Sequence, residues 1–186
     1  MINGISGRSF FAEGRTSKLY RQSDGSVLKV IDTIHKTGQR VNKILASFYE
    51  DNELILPPLI HHEIRALRLL KPHKIAPEII EATPQYIRMS YVGKPVTLKT
   101  KFKDLEERIE YIIQSLDAVR IVHNDLRRDF RNYCCLNGVL YLVDFQIADI
   151  KDTIPGAMIR RNKERHYNNN REDLEWFKSQ FKSQFI

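Results

Sequence analysis

The alternation of hydrophobic and polar residues predicts strands in the first third of the chain. Short β-rich segments run over Ser9–Phe11, Lys18–Arg21 and Val27–Ile31. The second and third of these flank Asp24-Gly25, and an Asp-Gly pair between two such segments is a strong hairpin signal. We therefore expect strands here, two of them joined in a hairpin.

Helices are predicted where apolar residues recur at helical spacing. One runs from His61 to Leu70 and ends before Pro72. Another runs from Asp104 to Val119 and carries one apolar face. Helical stretches are also expected around Lys43–Glu50 and from Glu172 onward.

Further strands are predicted before and after the second of these helices. Ile79-Ile80 and Tyr86–Met89 precede it. After it, the Asn137-Gly138 turn leads into an apolar strand, Val139–Val143, which ends at Asp144.

The chain changes character at Gly93 and Pro95, from strand-rich to helix-rich. We predict an α+β fold of two lobes that meet near residues 90–95. The N-lobe comprises residues 1–91, with strands and a helix, and a reduced, helical C-lobe comprises residues 92–186.

Composition limits the classes of protein that fit. The chain has 186 residues, of which 42% are hydrophobic, enough for a packed core. Its net charge of +7 favours anionic partners without choosing among nucleotides, nucleic acid and acidic lipids. Cys134 and Cys135 are too few for a disulfide framework or zinc site, so we expect buried apolar residues. No apolar run could span a membrane and no signal peptide is evident, so we expect a cytoplasmic location.

Two acidic residues have settings that suit metal-dependent chemistry. Asp125 lies in the segment HNDLRRDFRN, and Asp144 follows nineteen residues later, at the end of an apolar strand. An acid at a strand end is well placed to meet a metal ion, and Mg²⁺ favours such oxygen ligands. Phosphoryl transfer needs metal ions at the phosphates and an oriented hydroxyl nucleophile, and these two segments can supply both.

The order of motifs along the chain resembles that of protein-kinase-like enzymes. His123–Asn132 resembles their catalytic loop, and Asp144-Phe145-Gln146 resembles their DFG motif. Glu13–Tyr20 resembles a reduced nucleotide-binding loop. Val27–Val30 resembles the strand with the phosphate-binding lysine, and Tyr86–Gly93 resembles the hinge that borders adenine.

This resemblance, which covers roughly residues 9–150, implies ATP and Mg²⁺ as cofactors and a role for each matching residue. Asp125 would orient the attacking hydroxyl, and Arg127 would lie near the γ-phosphate. Lys29, fixed by Glu63, would contact the α- and β-phosphates. The remaining implied ligands are Gly14, Thr16 and Ser17 for the phosphates, backbone groups of Ser90 and Val92 for adenine, and Asn132 and Asp144 for magnesium.

Several features depart from the kinase pattern. Gly14 is the one clear glycine where protein kinases carry a glycine-rich loop. Asn132 lies seven residues after Asp125, further than in the kinase motif, so Asp129 is an alternative metal ligand. Gln146 replaces the DFG glycine, no Ala-Pro-Glu motif follows, and only 42 residues remain after Asp144.

These departures resemble small atypical kinases, both the bacterial lipopolysaccharide-core type (Kdo and heptose kinases) and the RIO type. The favoured interpretation is a sugar kinase of the first type, whose acceptor pocket would draw on Arg127, Arg128, Arg131 and Arg160-Arg161. The alternatives are a small RIO-like Ser/Thr protein kinase and a pseudokinase without turnover. A nucleic-acid partner is not expected, because no recognised motif accompanies the charge.

Some residues near these motifs have structural interpretations. We expect His123 to brace the catalytic loop and Asn168–Asn170 to form a loop. Asp173 either braces the catalytic loop or places a charge at a helix N-terminus. The aromatic face of the C-terminal helix, with Trp176 and Phe177, packs on its own domain in the favoured interpretation. In the other, it contacts anionic lipid and holds the protein at the inner membrane surface.

Overall fold

The structure is a computed structural model that describes residues 9–13, 17–31, 59–126, 130–150 and 170–182. These residues form two compact units. The first takes in the described part of Met1–Ile64 together with Ile79–Tyr91. The second takes in Arg65–Glu78 and the described part of Val92–Ile186. The helix predicted around Lys43–Glu50 lies outside the described residues.

A five-stranded antiparallel sheet forms most of the described part of the first unit. Its strands are β1 (Ser9–Glu13), β2 (Ser17–Arg21), β3 (Val27–Ile31), β4 (Ile79–Ala82) and β5 (Tyr86–Met89), in the order β1-β2-β3-β5-β4. Strands β2 and β3 pair from Ser17 with Ile31 to Arg21 with Val27. The predicted strands and the hairpin between β2 and β3 are confirmed.

The Asp24 side chain stabilises the turn of this hairpin. Its Oδ1 accepts hydrogen bonds from the Ser26 backbone N–H at 2.9 Å and from the Ser26 hydroxyl at 2.6 Å. These bonds favour the ionised carboxylate and lower the pKa of Asp24. Gly25 adopts a φ of +80°, which glycine reaches without strain.

Helix α1 (Leu59–Leu70) packs its first turns on this sheet. Ile60 and Ile64 form a buried cluster with Val27 of β3 and with Ile87 and Met89 of β5. The helix predicted from His61 therefore exists and begins two residues earlier. Its pattern fits because Ile60 and Ile64 are one turn apart and share a face.

The second unit is built on helix α2 (Leu105–Ala118) and a small three-stranded sheet. The helix buries its predicted apolar face, made of Leu105, Ile109, Ile112, Ile113 and Leu116. The sheet has the order β6-β8-β9, from Lys94–Pro95, Tyr133–Leu136 and Val139–Leu142. The Asn137-Gly138 turn joins β8 to β9 with positive φ at both residues, as predicted.

Two more strands, β7 (Ile121–Val122) and β10 (Asp149–Ile150), pair with each other in an antiparallel ladder. Like β6, they have two residues each, too few for a hydrophobic period to be read from sequence. They matter because β7 leads into the segment that carries Asp125.

Helix α3 (Asn170–Ser179) closes the described part of the second unit. Phe177 and Phe181 are fully buried, and the Phe177 ring stacks on Tyr133 with centroids 4.2 Å apart. The apolar face thus packs on its own unit, as favoured from sequence. Asn170 was predicted in a loop, which is wrong because it is the first helical residue. None of the described helices has both the length and the apolar character that crossing a membrane requires.

The two cysteines of β8 differ in burial. Cys134 is buried, and loss of water around its thiol raises the pKa to about 11. Cys135 is only half-buried, so the expectation of two buried cysteines is correct for Cys134 alone.

Gly93 lies where only glycine fits. Its φ is +102°, and a Cβ there would lie 1.9 Å from the carbonyl oxygen of Cys135. Because this atom belongs to the backbone of β8, Gly93→Ala must displace the strand. We expect the free energy of unfolding to fall by more than about 2 kcal/mol, measured by denaturant titration.

Gly138→Ala is the matched control in the same unit. Gly138 also has a positive φ, +85°, but the nearest atom to an added Cβ is the side-chain Cγ of Lys103 at 2.8 Å. That side chain is exposed and can move. A loss as large as that of Gly93→Ala would contradict the explanation by backbone crowding.

Candidate active site

A buried ion pair joins the sheet to the helix in the first unit. Lys29, in the middle of β3, places its Nζ 2.9 Å from Oε1 and 2.7 Å from Oε2 of Glu63 in α1. The two side chains are only 4% and 2% exposed. Because a charge is stable in such a site only with a partner, each residue requires the other. The structure therefore brings together the lysine and glutamate that the sequence suggested as a pair.

Asp125 follows β7 and has an exposed side chain. Asn132, which is 7% exposed, donates from Nδ2 to the main-chain oxygen of Asp125 at 2.6 Å and to its Oδ2 at 2.9 Å. The amide thus fixes both the backbone and the carboxylate of Asp125. Despite the long spacing between them, the two residues meet. Asp129, the alternative to Asn132, lies outside the described residues.

The backbone of Val143 ties this loop to the strand end that carries Asp144. Its N–H donates to the carbonyl of Asn132 at 3.0 Å. Its carbonyl lies 2.9 Å from Nε2 of His123. A carbonyl can only accept, so His123 carries a proton on Nε2. With both backbone groups of Val143 held, the positions of Asp144 and Asp125 are coupled.

His123 is fully buried, and its ring packs on Phe145 with centroids 4.5 Å apart. It therefore contacts the segments on both sides of Asp144, consistent with the bracing function expected from sequence. Phe145 and Gln146 are buried as well, so the DFG-like segment is packed into its unit.

Both candidate acids lie beside unusual backbone conformations. Asp144 has a φ of +66° and precedes a 3₁₀ turn over Phe145–Ile147. Asn124, directly before Asp125, has a φ of +65°. Residues other than glycine are uncommon in this region, although Asn and Asp enter it more readily than most.

Asn170 is a structural brace that the sequence did not reveal. It is 5% exposed at the start of α3. Its Oδ1 accepts from the His123 N–H at 3.1 Å, and its Nδ2 donates to the Ile121 carbonyl at 2.7 Å. The sequence had suggested Asp173, one turn further along, for such bracing. The only available signal was an Asn before a helix, which more commonly indicates a cap.

The other predicted site residues are distributed over the two units. Ser17 is buried at the start of β2, in the first unit. Ser90, half-buried, also belongs to the first unit, and the buried Val92 belongs to the second. Gly14, Thr16 and Arg127 lie outside the described residues. The described part of the chain contains no group of three or more His, Cys, Asp or Glu side chains that could hold a metal ion.

Solved structures similar to this chain include two of one kinase. The Rio2 kinase-ADP/Mg²⁺-phosphoaspartate complex from Chaetomium thermophilum matches with a TM-score of 0.60 and 15% identity, covering 97% of this chain and 57% of that one. A second structure of that Rio2 kinase matches with a TM-score of 0.57 and 14% identity, covering 93% and 56%. The chain has a protein-kinase-like fold. The predicted α+β, kinase-like bilobal fold is confirmed.

The likeness is one of fold. The kinase-like chain spans somewhat more than half the length of the Rio2 structures, at 14% to 15% identity. Neither a protein-family model nor a curated protein matches its sequence. The likeness therefore shows the fold and does not by itself give the activity or the acceptor.

Asn170→Ala tests the brace beside the segment that carries Asp125. The substitution leaves the His123 N–H and the Ile121 carbonyl without the partner that Asn170 supplies in a buried site. We expect the free energy of unfolding to fall by about 2–4 kcal/mol, measured by denaturant titration.

Arg171→Ala is the control for this experiment. Arg171 is the next residue of α3, but it is exposed and pairs with Glu110 on the surface at 3.2 Å. Surface pairs contribute little, so its loss should leave stability nearly unchanged. If the two variants were equally stable, the brace would have no energetic importance.

Proposed function

We propose that this protein is an ATP- and Mg²⁺-dependent phosphotransferase that moves the γ-phosphate of ATP to a hydroxyl acceptor. The observation that carries the proposal is the buried Lys29–Glu63 pair within a kinase-like fold. In protein kinases a lysine of this kind contacts the phosphates and is held by a glutamate. The similar Rio2 kinase was solved with ADP/Mg²⁺, which supports these cofactors.

The proposed contacts to nucleotide follow the resemblance. Lys29 would bind the α- and β-phosphates, together with Ser17, Gly14 and Thr16. Backbone groups of Ser90 and Val92 would bind adenine. Arg127 would approach the γ-phosphate.

Asp144 and Asn132 would hold magnesium, whose chemistry is to neutralise charge on the phosphates. Their carboxylate and amide oxygens are the hard donors that this ion prefers. The amide nitrogen of Asn132 is the atom that bonds Asp125. Asn132 would therefore bind magnesium through its Oδ1 while its Nδ2 bonds Asp125.

Asp125 would orient the acceptor hydroxyl and accept its proton. The side chain is exposed, which suits a group that must meet an incoming substrate. Asn132 holds one carboxylate oxygen at 2.9 Å, so the direction of the carboxylate is set before the acceptor arrives.

The acceptor is the open part of the proposal. The sequence favoured a lipopolysaccharide-core sugar, but both structural neighbours described above are Rio2 kinase. This supports a RIO-like protein kinase as the first candidate and leaves the sugar kinase second. Of the arginines suggested for a sugar pocket, Arg131 is exposed, and the others lie outside the described residues.

Two substitutions separate metal binding from transfer. Asp144→Asn removes the main proposed metal ligand, so Mg²⁺-dependent ATP use should be abolished. Asp125→Asn should keep Mg²⁺-ATP binding, measured by calorimetry, and lower transfer from labelled ATP by at least about 100-fold. Asp117→Asn, at the exposed end of α2, makes the same charge change away from these residues and should retain activity. Near wild-type transfer by Asp125→Asn would refute its assignment.

An acceptor comparison separates the two kinds of kinase. Purified protein is incubated with labelled Mg²⁺-ATP alone, with a generic protein substrate, or with core oligosaccharide. A RIO-like kinase should label itself or the protein substrate. Label in the oligosaccharide alone would restore the sugar kinase, and binding without any transfer would establish a pseudokinase.

A further inference from the structure

A cation–π contact holds the segment that leads out of β5. Arg21, the last residue of β2, places its Cζ 3.5 Å from the centroid of the Tyr91 ring. Contacts of this kind extend to about 6 Å, so this is a close stack. Tyr91 lies between Ser90 and Val92, the residues proposed above to bind adenine through their backbone groups.

The Tyr91 ring also has apolar neighbours. It packs against the buried cluster that includes Ile64, Ile87 and Met89. The ring therefore contacts the core of the first unit as well as the Arg21 guanidinium. Both contacts therefore hold the ring in place.

Few other interactions hold the Arg21 guanidinium. Its Nη1 is buried, with no hydrogen-bond partner in the part of the chain that the structure describes. Its Nη2 lies beside the hairpin turn, 3.7 Å from where a Cβ on Gly25 would be. The acid of that turn, Asp24, pairs with a different arginine: its Oδ2 lies 3.9 Å from Nη1 of Arg88. Because desolvating a cation is costly, the aromatic face of Tyr91 is the main interaction that stabilises Arg21 there.

We propose that Arg21 is a positioning residue for the nucleotide base, acting through Tyr91. Holding the Tyr91 ring restrains its Cβ and Cα, and this limits the φ and ψ rotations that would turn the flanking carbonyl of Ser90 and N–H of Val92. A fixed ring therefore presents these backbone groups already oriented, so that less ordering is needed when the base binds. The inference rests on the proposed function, since it assumes a purine at this segment.

The proposal predicts a loss of affinity that depends on the base. In the full chain, Arg21→Ala should raise the Kd for Mg²⁺-ATP by about 3- to 30-fold, the range expected for losing one such contact. The Kd for Mg²⁺-tripolyphosphate, which has phosphates and no base, should stay unchanged. Both are measured by titration calorimetry on protein whose fold is checked by circular dichroism.

Variants of both partners test the route through Tyr91. Tyr91→Leu should reproduce the effect of Arg21→Ala, and the double variant should be no weaker than either single one. Tyr91→Phe keeps the ring that Arg21 contacts and should lose less ATP affinity than Tyr91→Leu. Arg21→Lys keeps the charge but not the planar guanidinium, so it should lose part of the affinity for Mg²⁺-ATP. This variant replaces Arg21→Ala if the latter does not fold.

Arg88→Ala is the matched control, because it removes the same charge from the same sheet. Arg88 is 37% exposed, and its two ion pairs are long, at 3.9 and 4.0 Å, so ATP affinity should not change. Equal weakening of ATP and tripolyphosphate by Arg21→Ala, or no weakening of either, would overturn the inference while leaving the proposed function intact. Failure of the wild-type protein to bind Mg²⁺-ATP would overturn both.

Discussion

The first unit is organised by the requirement that Lys29 and Glu63 meet inside it. Removing two charges from water costs several kcal/mol per ion, and an apolar pair of similar volume is often at least as stable. Stability alone therefore does not explain why an ion pair, rather than two apolar residues, occupies this site. Ile60 and Ile64, on either side of Glu63, seat the helix on β3 and β5. This packing allows the carboxylate to reach a lysine 34 residues earlier in the chain. The arrangement therefore fits the phosphate-binding role proposed for Lys29 better than a purely stabilising one.

In the second unit, hydrogen bonds rather than a buried ion pair hold the candidate site residues in place. Val143 is bonded to Asn132 and His123, and Asn170 holds the backbone at His123. Each bond satisfies a buried polar group, so the network has little freedom to rearrange in part. The positive φ at Asp144 is tolerated because the surrounding contacts determine the backbone there. The result is that the backbone next to Asp125 and Asp144 is held in place, which the phosphoryl transfer proposed above would require.

The features that could be predicted from the sequence are those set by residues close together in the chain. Asp24-Gly25 and Asn137-Gly138 specify their turns locally, and the apolar face of α2 follows from its period. The bracing role of Asn170 was not predicted, because its partners are 47 and 49 residues away in the chain. No local sequence pattern indicates such distant partners. The stack of Arg21 on Tyr91 escaped for the same reason. The meeting of Lys29 and Glu63 was anticipated only through family resemblance, because neither residue is unusual alone.

The link between Asp125 and Asn132 shows what motif spacing does and does not determine. The longer spacing made Asn132 a weak match to the kinase catalytic loop, but its amide reaches Asp125 at 2.9 Å. The 3₁₀ turn over Phe130–Asn132 accounts for this, because the Phe130 ring packs on Trp176 and Phe177 of α3. That packing holds the turn that carries Asn132. The spacing in the motif alone does not predict that Asn132 contacts Asp125. The contact depends on the aromatic packing of Phe130 against α3. In the second unit, α3 thus holds the segment around Asp125 at two points, at Phe130 through ring contacts and at His123 through Asn170.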